Sequence, residues 1–164
     1  MKIVNTVFAA VLAAAGLALA QSDPSDPYEG TWVLNVARSG GEPRTQILTI
    51  QIDGERETYR SELVSADGRQ QVTTYTAAYD GREYPSQTVM TSPSGETGPP
   101  RHDTVILKKV DERTRERHWK QGGRLVRILR RVVSQDGRTL TSSVIDVDEG
   151  GRETLASTLI FDRR

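Results

Sequence analysis

The stretch 122–161, GGRLVRILRRVVSQDGRTLTSSVIDVDEGGRETLASTLIF, decides the fold class. Runs rich in Val, Ile, Leu and Thr alternate with short glycine-containing turns, Gly122-Gly123, Asp136-Gly137 and Gly150-Gly151. Such Xaa-Gly pairs supply the positive φ that tight hairpins require. The same unit recurs upstream at Asp53-Gly54, Asp67-Gly68 and Asp80-Gly81, with turns thirteen or fourteen residues apart, the length of one strand plus its turn. This is the pattern of an antiparallel meander. The spacing predicts strands over 31–37, 44–52, 56–65, 69–79, 87–91, 103–110, 113–121, 124–134, 138–147 and 152–162. A flat sheet of that many sequential strands would leave two exposed edges, and closure removes them. The expected fold is therefore all-β, an antiparallel up-and-down β-barrel of about 8–10 strands.

Two segments interrupt the pattern. TSPSGETGPP (91–100) is too rich in Pro and Gly for regular structure and reads as a surface loop or cavity rim. KKVDERTRERHWK (108–120) carries enough charge for an exposed helix. Its strand neighbours and the Gly122-Gly123 stop favour strand–turn–strand.

The N-terminus reads differently. Lys2 precedes an apolar run that ends in Ala18-Leu19-Ala20 before the polar Gln21. That is the order of a secretory signal peptide, and the apolar run is short for a membrane span of about 20 residues. The expected organisation is a signal peptide over 1–20, a flexible leader over 21–29 opening QSDPSDP, and one barrel domain over 30–164. The expected location is periplasmic or secreted, with no integral membrane span after cleavage. Lys+Arg and Asp+Glu stand at 22 each, so no general electrostatic pull toward nucleic acid exists. Without cysteine, disulfide and zinc-thiolate chemistry are excluded.

The segment GTWVLNVARS (30–39), together with YDGREYP (79–85), DTVILKKVDERT (103–114), RRVVSQDGRTLT (130–141) and LIFDRR (159–164), resembles a family of exported bacterial lipocalin-like proteins of unassigned function. The Gly-x-Trp of Gly30-Thr31-Trp32 is similar to the opening of the calycin barrels, lipocalins and fatty-acid-binding proteins. The resemblance implies that Trp32 packs at a closed barrel end. Two departures qualify it. Only Ser39 to Pro43 separates the first two strands, which leaves no room for lid helices. Leu159-Ile160-Phe161 stands where fatty-acid-binding proteins carry a carboxylate-gripping Arg-x-Tyr.

Alternate residues of a small barrel point inward. In the second strand Leu48, Ile50 and Ile52 form the set expected to pack. From 113 to 119 one face holds Arg113, Arg115, Arg117 and Trp119, and the other Thr114, Glu116, His118 and Lys120. By the resemblance, the arginine–tryptophan face is lumenal; as an isolated pattern, a run of Arg and Glu on a strand reads first as a solvated face. Lumenal arginines need an internal carboxylate or an anionic ligand, because an unpaired buried charge is very costly. In 124–134, Arg130 shares a face with Val126, Ile128 and Val132 and is a candidate fork for a carboxylate, or a partner of Asp146 or Glu153. The candidate ligand contacts are Arg130, Arg117, Trp119, Tyr75, Tyr59 and Phe161.

Catalytic signals are thin. The two histidines, His102 and His118, form no metal-binding spacing, and no nucleophile elbow or phosphate loop is present. No cofactor is expected. The leading expectation is a binding protein for a small hydrophobic or amphiphilic molecule, with an anionic group as an option. The alternatives are a structural or protein-interaction barrel with a filled core, and a calycin-type enzyme using a cavity histidine such as His118, or a tyrosine.

Overall fold

The computed structural model describes residues 26–40 and 44–164. The expected signal peptide and the first part of the leader lie outside the described residues. Eleven strands follow in chain order: β1 (Gly30–Leu34), β2 (Arg44–Asp53), β3 (Arg56–Ser65), β4 (Gln70–Ala78), β5 (Glu83–Thr91), β6 (Thr97–Gly98), β7 (Thr104–Lys109), β8 (Thr114–Gln121), β9 (Arg124–Val133), β10 (Thr139–Val147) and β11 (Glu153–Arg163). Every pairing is antiparallel. β1 pairs with both β2 and β11, and β4 pairs with β5, so ten strands close on themselves while β6 is a two-residue appendage of β5. The barrel expected from the glycine-spaced turns is thus what forms. A single 3₁₀ turn (Val36–Arg38), capped by Asn35, lies between β1 and β2. No helix among the described residues is long and apolar enough to cross a membrane.

The sequence reading erred in two places. β5 starts at Glu83, not at 87, because Pro85 can sit in a strand there. β5 pairs with β4 only from Ser86 onward, so the missing N–H of Pro85 falls where one side of the strand is unpaired. Within the loop 91–100, Thr97 and Gly98 add the short β6 against Met90 and Thr91. The charged segment 108–120 is strand–turn–strand: the turn closes with the amides of Val110 and Asp111 donating to the Thr114 carbonyl.

The leader boundary also moves. Asp26 to Glu29 belong to the barrel rather than to a flexible leader, and Tyr28 is fully buried. Its hydroxyl lies 2.6 Å from the Arg131 carbonyl and 2.8 Å from that of Arg113, while its own carbonyl accepts the Trp32 indole N–H at 3.0 Å. Trp32 is fully buried at this closed end, and the guanidinium of Arg163 lies 4.2 Å from its ring centroid. Arg163 also donates to the carbonyls of Pro27 and Glu29. Gly30 explains the spacing of the Gly-x-Trp motif. Its φ is +127°, and a Cβ there would stand 3.1 Å from Arg163 Nη1, so a side chain would both strain the backbone and push the arginine off the indole.

We expect Tyr28→Phe to cost about 0.5–1.5 kcal/mol, the net worth of a hydrogen bond, because the Arg113 carbonyl keeps the Val133 amide as a donor. The check is thermal or urea denaturation of the purified protein. An unchanged midpoint would mean that the hydroxyl adds nothing to stability.

Candidate functional site

The interior divides into two halves. Along β2 the inward residues run Arg44, Gln46, Leu48, Ile50, from polar at one end to buried and apolar at the other. On β3 the series is Glu57, Tyr59, Ser61, Leu63, Ser65, and on β4 it is Gln71, Thr73, Tyr75, Ala77. β8 turns Arg115, Arg117 and Trp119 inward, at 2%, 1% and 4% exposure. The arginine–tryptophan face that the resemblance marked as lumenal is therefore lumenal.

The closed half is filled by a charged network. Glu57, fully buried, accepts from Arg117 Nη2 at 3.0 Å and from Arg131 Nη2 at 3.0 and 3.2 Å. The hydroxyls of Tyr75 and Tyr79 donate to the two oxygens of the same carboxylate. Arg115 donates to Tyr79 at 3.2 Å and pairs with Asp26. Burial pushes the Glu57 carboxyl up, but Arg131 and Arg117, with hydrogen bonds from Arg131 and Tyr75, outweigh it and hold the group well below the usual carboxylate range. Burial pushes the Tyr79 phenol up to about 12 and Tyr75 well above its ordinary value, so both stay protonated and serve as donors. Among the described residues, these three buried arginines pair with just two carboxylates, Glu57 and the half-buried Asp26. These five groups together carry one positive charge in excess.

Above it an aromatic ladder forms a floor. Arg117 lies 3.7 Å from the Tyr59 ring centroid. Tyr59 stacks on Tyr75 at 5.0 Å, Tyr75 meets Trp119 edge-on at 5.7 Å, and Trp119 stacks on His102 at 3.7 Å. On this floor stands a cavity of about 380 Å³. Its charged lining consists of Arg44, Arg69, Arg101, Arg117 and Arg127, with His102 beside them and no aspartate or glutamate among the described residues. Leu63, Met90, Leu129, Val144 and Leu159 supply apolar wall. Arg69 and Arg127 are paired to Asp67 and Asp146, outside the lining. Arg44 and Arg101 have no carboxylate partner among the described residues. Burial and then the Arg127 charge lower the pKa of Arg44, the expected effect of gathering like charges in a partly dry space.

His102 is buried, with Ser86 Oγ 3.1 Å from Nδ1 and Thr88 Oγ1 3.3 Å from Nε2. Burial first, then Arg117 and Arg127, push it down to about 4. A free histidine titrates near about 6.5, so the unfolded chain takes up a proton that the folded one refuses. Stability from this source falls as pH drops from about 6.5 to about 4 and is flat below. We expect the His102 imidazole resonances to titrate near pH 4 by NMR, and His102→Gln to flatten stability across that window. A midpoint near 6.5 would show that the ring is open to solvent.

Of the candidate contacts, Arg117, Trp119 and Tyr59 line the cavity. Tyr75 lies beneath it, bonded to Glu57 and stacked on Tyr59. Phe161 is buried in the closed half among the core side chains and does not reach the cavity. Arg130 requires a correction: it points outward. Arg117 pairs with Leu129 across β8 and β9, so Arg127, Leu129, Arg131 and Val133 face in, while Ile128, Arg130 and Val132 face out. Arg130 bonds Glu116 at 2.8 Å with its side chain 56% exposed. It was misplaced because the apolar valine and isoleucine of β9 mark the outer wall, whereas the inner wall tolerates arginines thanks to Glu57. Asp146, considered a partner of Arg130, pairs with Arg127. His118 also lies on the outer face, bonded to Glu116, so the acid–base role considered for it has no place in the cavity.

Sequence reasoning missed Glu57, Arg131, Asp26, Arg44, Gln46, Arg127 and His102. A signal existed for two of them. Arg44 and Gln46 continue, at period two, the inward set Leu48, Ile50 and Ile52.

No protein-family model and no curated protein matches this chain. Among solved structures the chain is similar to one titled "REP1-NXSQ fatty acid transporter", at 17% identity and a TM-score of 0.49, over 83% of this chain and 95% of that one.

Proposed function

We propose that this protein is an exported lipocalin-like barrel that binds a small, partly hydrophobic anion. One observation carries the reading. Five arginines and a neutral histidine line a cavity of about 380 Å³ with no carboxylate among its described lining residues, and two of the five, Arg44 and Arg101, have no carboxylate partner among the described residues. Guanidinium groups are forks matched to carboxylate and phosphate oxygens. A wall that gathers them without acids is complementary to an oxyanion and repels cations. The volume lies in the range of small-molecule pockets. The leucines, Met90 and Val144 suit an apolar portion of the ligand.

The filled-core alternative describes only the closed half. For the enzyme alternative, the histidine within the cavity is His102, whose ring nitrogens meet hydroxyls rather than a carboxylate that would orient and activate it. Export rests on the signal-like segment 1–20.

Mass spectrometry of the protein recovered from its native cell envelope tests both halves of this proposal. Under native conditions we expect an added mass that is lost on denaturation and ionises in negative mode. Under denaturing conditions we expect a chain beginning at Gln21. A chain retaining residues 1–20 would sink the export reading. A co-purifying cation, or a protein that binds no anion in solution, would sink the ligand class.

A further inference from the structure

Seven buried side-chain polar atoms have no hydrogen-bond partner among the described residues, on Arg44, Gln46, Arg115, Arg117, Arg131 and Ser142. Most have a local explanation. The guanidinium groups of Arg115, Arg117 and Arg131 lie over aromatic rings, at 4.3 Å from Tyr28, 3.7 Å from Tyr59 and 5.3 Å from Tyr28 respectively. A π face meets part of what a guanidinium edge lacks. Ser142 is 2% exposed and does not line the cavity. Two atoms remain, and both belong to cavity residues: Nε of Arg44 and Oε1 of Gln46.

They form a pair of opposite kind. Arg44 and Gln46 stand two residues apart on the inward face of β2, about 7 Å along the strand. Arg44 offers a charged donor. Gln46 gives an Nε2 hydrogen to Ser61 Oγ at 2.9 Å, and Oε1 is the amide atom without a partner among the described residues. An oxyanion satisfies the first atom but repels the second. An apolar chain passing over Gln46 would leave a buried acceptor unmet, at a real cost.

We infer that the ligand carries a hydrogen-bond donor, a hydroxyl or an N–H, a few atoms from its anionic group, with the anion on Arg44 and the donor on Gln46 Oε1. This deepens the proposed function and rests on it. The natural ligand class is a hydroxylated or amide-bearing acid rather than a plain chain acid. The cavity wall agrees: Gln46, Ser61, Ser65, Gln71, Thr73 and Ser157 set polar groups among its leucines.

The test is calorimetric titration of the full-length mature protein with decanoate, decan-1-ol and a set of hydroxydecanoates whose hydroxyl moves along the chain. A mid-chain hydroxyl should tighten binding about tenfold over decanoate, the scale of satisfying one buried acceptor. In Gln46→Leu the ratio of the two affinities should collapse to about one. Arg130→Met, on the outer wall, should leave the ratio as in the wild type. If decanoate binds as tightly as every hydroxydecanoate, this inference is overturned and the anion-binding function stands. If decan-1-ol binds as well as the acids, or nothing binds, the function itself fails and the inference with it.

Discussion

Replacing Glu57 with glutamine is expected to lower the melting temperature by about 10–15 °C. The substitution keeps the shape and removes the charge that Arg117 and Arg131 share. Breaking a buried ion pair by deleting one partner costs about 3–5 kcal/mol, and each kcal/mol moves the midpoint of a chain this long by about 3 °C. The loss follows from desolvated guanidinium groups left without an anion, so it should be partly reversible by removing one of them. Glu57→Gln combined with Arg131→Met should be more stable than Glu57→Gln alone, a coupling that a double-mutant cycle isolates. The pH dependence carries the same signature. The folded carboxyl lies below its unfolded value. Its contribution is therefore complete above the unfolded pKa, about 4.3, and is lost as pH falls below that. Melting curves at neutral and acid pH should differ more for the wild type than for Glu57→Gln. Equal acid sensitivity in both proteins would mean that the network contributes nothing to stability.

Removing the two arginines that face each other at the upper end of the cavity should act on binding instead. In Arg44→Met/Arg127→Met, affinity for decanoate should fall about 100-fold, since each charge-assisted hydrogen bond to an anion is worth about 1.5–3 kcal/mol. The melting temperature should change by only a few degrees, because Arg44 and Arg127 repel one another and their loss relieves that repulsion. The remaining affinity should also be less sensitive to salt. Titration calorimetry at two ionic strengths, alongside a thermal melt, reads all three. A double variant that binds decanoate like the wild type would remove these arginines from the site.

The two predictions draw on features that differed greatly in how readable they were. The strands were legible because Gly54, Gly68, Gly81, Gly123, Gly137 and Gly151 occupy turns with positive φ, a local requirement that the sequence must meet locally. Pro85 hid the start of β5 because a proline argues against a strand until its pairing on both sides is known. The inward turn of Arg115, Arg117 and Trp119 was legible from alternation once the register was suggested by family likeness. The identity of their partner was not. Glu57 lies 60 residues from Arg117 and 74 from Arg131 in the chain, and nothing in RETYRS (56–61) distinguishes a carboxylate bound for the interior from its exposed neighbours. Arg130 went wrong for the converse reason: on β9 the apolar face is the outer one. Binary patterning assumes a greasy inside, and this barrel is charged at its centre.

The clasp of Arg163 over Trp32 and the pairing of β1 with β11 have a temporal meaning. The strand that emerges first has one neighbour available at once, β2, and must wait for the other until nearly the whole chain has appeared. A protein made or threaded across a membrane from its N-terminus would keep β1 half-paired, and Tyr28 and Trp32 unsealed, throughout that passage. Contacts between the two ends of a chain are also those that slow folding most. The same few residues that lock the finished barrel therefore postpone its completion until the last strand arrives.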